Sequence, residues 1–170
     1  VGRQEDVIVD GGSLAMAADG KVVMRAPNFE VGLYPVDFSF DGHQVTIIPS
    51  AVHVDASEAE SVYRAIVMGV RDYVSKNQFK GAVIGLSGGV DSALTLTLAV
   101  DALGAENVSA VMMPSRYTSK LSLDEARNQA QMLGVEYHTI SIEPAFKTFT
   151  ESLQETLRGD TAGVTEQNIQ

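Results

Sequence analysis

The 170-residue sequence contains no cysteine, and this absence removes several chemistries at once. Within these residues it excludes a disulfide scaffold, a thiolate metal site and a cysteine nucleophile. Cations are also few, because 12 lysines and arginines stand against 22 aspartates and glutamates, for a formal charge of -10. This balance argues against an extended surface for nucleic acid or an anionic membrane, since both need clustered cations.

The chain also lacks a long apolar run and an opening signal segment. Hydrophobic residues make up 45% of it and charged residues 20%, which is typical of globular proteins and excludes disorder as a description of the whole. We therefore expect a cytoplasmic protein that binds neither nucleic acid nor membrane. Because the sequence starts at Val1 and stops at Gln170 inside an apparent helix start, we expect it to be a fragment of a longer protein.

The first fifty residues predict β structure. A β-branched run at residues 7–9 is followed by two Asp-Gly pairs that stand between apolar segments. Asp19-Gly20 is expected to form a two-residue hairpin turn, and Asp41-Gly42 to lie in a second hairpin. Successive hairpins indicate the margin of an antiparallel or mixed sheet.

The pattern changes to alternating helices and strands after Ser57, which forms a capping box with Glu60 and predicts a helix to about Lys76. Strands alternating with helices predict a parallel sheet with right-handed crossovers. The segment 158–164 is expected to be either a lid that orders over a bound ligand or a surface connector. The remaining expected elements are strands at 82–86, 108–113 and 136–140, and helices from Ser92 to Leu103, from a Ser122/Glu125 cap to Gly134, and from Pro144 to about Leu157.

One motif carries chemistry: residues 87–92, Ser-Gly-Gly-Val-Asp-Ser, here called the glycine loop. Its glycines lack Cβ atoms, so backbone N–H groups can converge on an anion, and the helix expected to begin at Asp91-Ser92 adds its positive dipole end. Ser87 and Ser92 supply hydroxyl donors to phosphate oxygens. Asp91 would repel a bare phosphate, which predicts a bridging cation such as Mg²⁺; its alternative role is an N-cap.

The surrounding pattern narrows the class of nucleotide site. Neither the Walker sequence nor the dinucleotide-binding G-x-G-x-x-G is present. The glycine loop resembles the signature of the pyrophosphatase-loop ATP enzymes, which cleave ATP between the α- and β-phosphates and adenylate a substrate oxygen. The alternative is an ordinary glycine-rich turn between a strand and a helix.

Longer segments resemble the NAD synthetase family. Residues 85–94 are similar to the family's ATP loop, residues 113–119 to the segment after its second strand, and residues 165–170 to the start of its substrate-contacting helix. Residues 10–13 and the hairpin after them resemble the closing strands of a nitrilase-type amidohydrolase domain. That combination is typical of the glutamine-dependent form of the family.

The resemblance implies an α/β fold with a parallel Rossmann-like sheet of the adenine nucleotide alpha hydrolase (ATP pyrophosphatase) type, preceded by the closing β-strands of a nitrilase-like domain. It divides the chain into the end of the amidohydrolase domain (1–50), a linker with a connecting helix (51–80) and the first part of the synthetase domain (81–170). The amidase triad is then expected before Val1, and a second magnesium carboxylate after Gln170. The fragment is accordingly expected to be incomplete for catalysis.

The function so implied is that of a carbon–nitrogen ligase. It amidates nicotinic acid adenine dinucleotide (deamido-NAD) to NAD through an acyl adenylate, using ATP, Mg²⁺ and ammonia from glutamine, and a homo-oligomer is expected. No catalytic residue is assigned within the chain. Asp91 is the implied metal ligand, and Asn168 the residue that would hydrogen-bond the nicotinate half of the substrate. The implied ATP-binding residues are Gly85, Leu86, Ser87, Gly88, Gly89, Val90, Asp91, Ser92 and Arg116.

Several alternatives stay open. Arg116 follows a strand's carboxyl end, where α/β sheets place ligands, but could be a solvated loop residue. Met112 and Met113 are interpreted as core residues in preference to an adenine wall. The loop alone would also suit a GMP synthetase, a tRNA thiolation or lysidine enzyme, or an ATP-sensing module. The acidic charge weakens the tRNA options, and the nitrilase-like segment weakens GMP synthetase.

Overall fold

The computed structural model describes residues 1–4 and 7–153, and the chain divides into two compact units, Val1–Phe79 and a second that begins at Lys80. The expectations for the segment 158–164 and for Asn168 lie outside the described residues. Within the described part, no helix is both long and apolar enough to cross a membrane.

Each strand of the first unit pairs with its neighbour along the chain, and residues 23–25 also bond the segment 50–53, with Ser50 N donating to Val23 O at 2.9 Å and Arg25 N to Ala51 O at 3.1 Å. In the described residues the strands form three two-stranded antiparallel sheets, which confirms the successive hairpins, although these are not joined into one sheet there. The pairs are β1 (Gly2–Gln4) with β2 (Val7–Val9), β3 (Leu14–Met16) with β4 (Val22–Arg25), and β5 (Phe38–Phe40) with β6 (Val45–Ile47).

The turn between β3 and β4 has three residues, and the two-residue prediction was wrong. Ala17 N donates to Lys21 O at 2.9 Å and Gly20 N donates to Ala17 O at 2.9 Å, which places Ala18, Asp19 and Gly20 in the loop. Of these only Gly20 has a positive φ, +87°. The Asp19 carboxylate accepts from Lys21 N at 3.0 Å and favours this wider turn, in which one glycine takes the left-handed position.

The helix α1 (Glu58–Lys76) packs on the hairpin of β1 and β2. Ser57 caps it as predicted, because its side chain accepts from Glu60 N at 3.2 Å. On the opposite end of the helix, the Asp72 carboxylate accepts from Arg3 N at 2.6 Å. The N–H of Arg3, followed by the Lys76 side chain, holds the pKa of Asp72 below its ordinary value. A charged hydrogen bond therefore attaches the helix to the first strand.

The second unit is the predicted parallel α/β arrangement. Its sheet has the order β7-β8-β9 with parallel pairing throughout, so each connection crosses over through a helix. The elements are β7 (Ala82–Gly85), α2 (Val90–Leu103), a 3₁₀ turn (Ala105–Asn107), β8 (Val108–Met112), α3 (Lys120–Leu133), β9 (Glu136–Thr139) and α4 (Glu143–Leu153).

The core of this unit combines a few large side chains with several alanines. Leu86, Leu96 and Val108 are almost fully buried, and such burial contributes roughly 1.5–3 kcal/mol for each side chain. Ala126 and Ala130 on α3 are completely buried, so this helix approaches the sheet closely. The close packing fixes the loops that leave the carboxyl ends of β7 and β8.

Both α2 and α3 begin earlier than predicted. The N-cap of α2 is Gly89, which places Asp91 in the first turn of the helix and removes its alternative role as the N-cap. The N-cap of α3 is Ser119, whose hydroxyl accepts from Ser122 N at 3.0 Å. The capping role expected for Ser122 is thus taken by a serine three residues earlier.

Candidate nucleotide site

The glycine loop connects β7 to α2 and lies directly against α3. Gly88 has a φ of +80°, and a Cβ atom built on it would lie 2.3 Å from Ser122 O and 2.7 Å from Ser122 Cα. Only glycine allows both this backbone conformation and this approach. The contact fixes the loop against the first turn of α3.

Hydrogen bonds between its own residues hold the loop in shape. Ser92 Oγ accepts from Ser87 N at 3.2 Å, donates to Gly89 O at 3.0 Å and lies 3.0 Å from Ser87 Oγ. Ser87 Oγ also accepts from Gly89 N at 3.3 Å. Ser92 is therefore the centre of a preformed loop. This structural role was not expected from the sequence, which indicated only a contact with phosphate.

The first turn of α2 leaves backbone donors available at the loop. Gly89 supplies no side-chain cap, and the first intrahelical bond is from Ala93 N to Gly89 O at 3.0 Å. The N–H groups of Val90, Asp91 and Ser92 precede that bond and have no carbonyl within the helix. Together with the helix dipole they make a site that favours an anion.

A cleft of about 350 Å³ lies beside the loop at the carboxyl ends of β7 and β8. Met112 is buried, as interpreted from the sequence, but Met113 is 49% exposed and lines the cleft, so its assignment to the core was wrong. The lining residues are Gly85, Leu86, Ser87, Val111, Met112, Met113, Thr118 and Ile142.

Arg116 lies near this cleft but binds a carboxylate of the protein. Its backbone N donates to Glu143 Oε2 at 3.0 Å, its Nε donates to Oε1 at 2.7 Å, and its Nη2 also bonds Oε1. Hydrogen bonds from the Arg116 side chain and then from its backbone hold the pKa of Glu143 below its ordinary value.

The loop residues expected to bind ATP come together at this end of the sheet, although Leu86 is buried at 1% exposure and only its backbone can reach a ligand. Asn168 lies outside the described residues. Sequence reasoning missed Glu143 and Ile142. The available signal was an acid directly before Pro144 at a helix start, where a carboxylate is favoured by the dipole.

The described residues contain no group of three or more side chains that could hold a metal alone. Asp91 is a single exposed carboxylate beside the anion-binding amides. This donor set fits Mg²⁺ only when phosphate oxygens and waters complete the shell, which is how Mg²⁺ commonly binds with nucleotides.

A glycine loop that presents helix amides beside a cleft, at the carboxyl edge of a parallel sheet, defines an α/β nucleotide-binding domain. The comparisons with known proteins agree, since a profile described as NAD synthase matches residues 62–170. The chain belongs to the NAD synthase family.

Related proteins match the whole chain. It is 41% identical over 170 residues to a glutamine-dependent NAD(+) synthetase of Acinetobacter baylyi, covering 100% of this chain and 31% of that enzyme. The solved glutamine-dependent NAD+ synthetase of Acinetobacter baumannii, in complex with ADP, superimposes with a TM-score of 0.90 at 40% identity, covering 99% of this chain and 32% of that one. An NH3-dependent NAD synthetase of Campylobacter jejuni covers 66% of this chain and 47% of its own, at 32% identity and a TM-score of 0.57. The chain thus spans about a third of the length of the curated relatives it matches.

Proposed function

We propose that the full-length protein is a glutamine-dependent NAD synthetase, a carbon–nitrogen ligase that converts deamido-NAD to NAD with ATP and ammonia from glutamine. The observation that carries this proposal is the preformed glycine loop beside a cleft, in a chain that resembles glutamine-dependent relatives along its entire length. The ammonia-dependent relative covers only 66% of the chain, which favours the glutamine-dependent form. We further propose that the protein is a cytoplasmic homo-oligomer, as expected from the sequence.

The proposed division of the chain assigns residues 1–50 to the end of a nitrilase-like amidohydrolase domain, 51–80 to a connecting segment and 81–170 to the synthetase domain. The family profile, which starts at residue 62, supports a synthetase assignment for the later part. Because the chain has no cysteine, the cysteine nucleophile of a nitrilase-like amidase would be supplied by another part of the protein.

The proposed reaction begins when the carboxylate of deamido-NAD attacks the α-phosphorus of ATP and pyrophosphate leaves. Ammonia then displaces AMP from the acyl adenylate and leaves the amide. The N–H groups of Val90, Asp91 and Ser92 would donate to the leaving pyrophosphate, where negative charge increases. Gly88 and Gly89 allow that pyrophosphate to approach the backbone.

Asp91 is the proposed ligand of Mg²⁺, which when bound would offset phosphate charge during pyrophosphate departure. Arg116 remains a proposed phosphate contact, and because its guanidinium has five N–H donors it would make this contact while it still bonds Glu143. Asn168 remains the proposed contact for the nicotinate half of the substrate, on the family resemblance alone.

The test is the Asp91→Ala variant of the full-length protein, assayed for NAD and AMP with either glutamine or ammonium as nitrogen source. We expect both activities to fall at least about 100-fold, because electrostatic stabilisation of transferred phosphate is worth several kcal/mol. Asp124→Ala, which removes an exposed carboxylate from α3, is the matched control and should remain active. Retained ammonium-driven synthesis in Asp91→Ala would refute the role of Asp91, and a wild type that forms ADP in place of AMP would refute the function.

A further inference from the structure

The segment 114–118, which follows β8, forms a compact turn beside the cleft. Ser115 N donates to Thr118 Oγ1 at 3.0 Å, and Thr118 N donates to Ser115 O at 3.1 Å. Tyr117 N donates to Ser115 Oγ at 3.2 Å. Thr118 lines the cleft, so the position of this turn decides the shape of one cleft wall.

A carboxylate from α4 holds this turn. Glu143 accepts hydrogen bonds from the backbone N, Nε and Nη2 of Arg116, and thereby binds the main chain and the side chain of one turn residue at once. One carboxylate oxygen accepts from the guanidinium and the other from the backbone N–H, so these charged hydrogen bonds fix orientation as well as distance. The side-chain and then the backbone hydrogen bond from Arg116 hold the pKa of Glu143 below its ordinary value, which is consistent with stabilisation of the ionised carboxylate by these contacts.

Ring contacts and one backbone hydrogen bond also place this turn beside the start of α4. The ring of Tyr117 meets buried Phe146 edge-on with centroids 6.0 Å apart, and the Arg116 guanidinium lies 5.6 Å from the centre of the Phe146 ring. Ile142 N donates to Pro114 O at 3.1 Å. Glu143 supplies the carboxylate in these contacts between described residues.

We infer that Glu143 is a positioning residue of the nucleotide cleft, which acts through Arg116 to hold Thr118 and Ile142 as one wall. The inference rests on the proposed function, in which ATP occupies this cleft. Glu143 need not touch the nucleotide. Its loss would let the turn move and would weaken ATP binding while leaving the glycine loop, which lies on different elements, in place.

The test compares Glu143→Gln with Glu151→Gln in the full-length protein. The first substitution keeps the size of the side chain and removes its charge from Arg116. The second does the same to an exposed α4 carboxylate that pairs with Lys147 at 3.8 Å. We expect Glu143→Gln to raise the KM for ATP about tenfold, with kcat and the KM for deamido-NAD within about twofold of wild type, since charged hydrogen bonds contribute more than neutral ones. Glu151→Gln should leave all three unchanged.

A double-variant cycle tests whether Glu143 acts through Arg116. If it does, Arg116→Gln/Glu143→Gln should have the ATP KM of Arg116→Gln alone, whereas effects that multiply would overturn the inference. An unchanged ATP KM in Glu143→Gln, with a wild type that makes NAD normally, would overturn it and leave the proposed function standing. Equal losses in kcat and in both KM values would mean general destabilisation and would also overturn it. Failure of the wild type to make NAD from ATP would instead refute the proposed function, and the inference with it.

Discussion

The contact between Gly88 and α3 predicts a large and specific cost for a single added methyl group. In Gly88→Ala the Cβ atom would meet the backbone O and Cα of Ser122, at 2.3 and 2.7 Å. Backbone atoms cannot rotate away, so the loop and α3 would have to separate by about 1 Å to restore ordinary contact. The positive φ of +80° adds strain for any residue with a Cβ atom.

Two control glycines separate the two parts of this free-energy cost, which are the backbone strain and the steric overlap. Gly134 has a φ of +69°, and no described residue has an atom within 4 Å of its added Cβ, so Gly134→Ala measures backbone strain, about 1–2 kcal/mol. Gly89 has a negative φ, and within the described part of the chain its added Cβ meets only the movable Ser87 hydroxyl, at 3.4 Å, so Gly89→Ala should cost below about 1 kcal/mol. Gly88→Ala combines the strain with an overpacking cost of about 1–3 kcal/mol, for a total of roughly 2–5 kcal/mol.

Hydrogen exchange of the α3 amides in the full-length protein measures the loss of stability in the helix that contacts the glycine loop. The loss of protection free energy should increase in the order Gly89→Ala, Gly134→Ala, Gly88→Ala. A loss in Gly88→Ala no larger than that in Gly134→Ala would refute the described contact between the glycine loop and α3.

Two further predictions concern hydrogen bonds in the two units. Ser92→Ala removes the hydroxyl at the centre of the loop's hydrogen bonds and should lower kcat/KM for ATP at least about tenfold. Thr95→Ala removes a hydroxyl from the same helix and should leave kcat/KM for ATP nearly unchanged. Asp72→Asn should destabilise the first unit by about 1 kcal/mol at pH 7, because the amide accepts more weakly from Arg3 N. Since the folded-state pKa of Asp72 is lowered from 3.8, its contribution is present above that value and is lost as the pH falls through the lower one, so the melting temperatures of variant and wild type should converge in acid. A constant difference down to pH 2 would contradict this.

The order of elements after residue 80 could be predicted because its signals are local. Short apolar strands, an apolar helix and glycine stops each act within a few residues, and Gly134 ends α3 with a φ of +69° as its position predicts. The existence of the glycine loop is likewise a matter of local sequence.

The starts of α2 and α3 depend on tertiary contacts and could not be predicted, unlike the start of α1 at its Ser57 cap. Ser119 and Ser122 both satisfy the N-cap preference of α3, and no local rule chooses between them. In the folded protein Ser122 lies against Gly88, which belongs to another loop 34 positions earlier in the numbering. Similarly, Asp91 is a stronger capping residue than Gly89, yet the turn at Gly88 starts α2 before it.

At the site, too, contacts between residues that are distant in the sequence could not be predicted. Arg116 was placed correctly past the end of a strand, but its partner Glu143 lies on a different helix, and only the fold brings them together. The hydroxyls of Ser87 and Ser92 were expected to face phosphate, and the structure bonds them to each other. Sequence pattern thus indicates which residues gather at a site more reliably than which contacts they make there.

The most direct test of the proposed chemistry follows one oxygen atom. The full-length protein is given deamido-NAD labelled with ¹⁸O in the nicotinate carboxylate, together with ATP and glutamine, and the AMP and pyrophosphate are analysed by mass spectrometry. If the carboxylate attacks the α-phosphorus beside the glycine loop, each AMP should carry one ¹⁸O and pyrophosphate none, and Asp91→Ala should form both products at least about 100-fold more slowly. AMP without label, or label in a phosphate released together with ADP, would contradict adenylation of the carboxylate at this site.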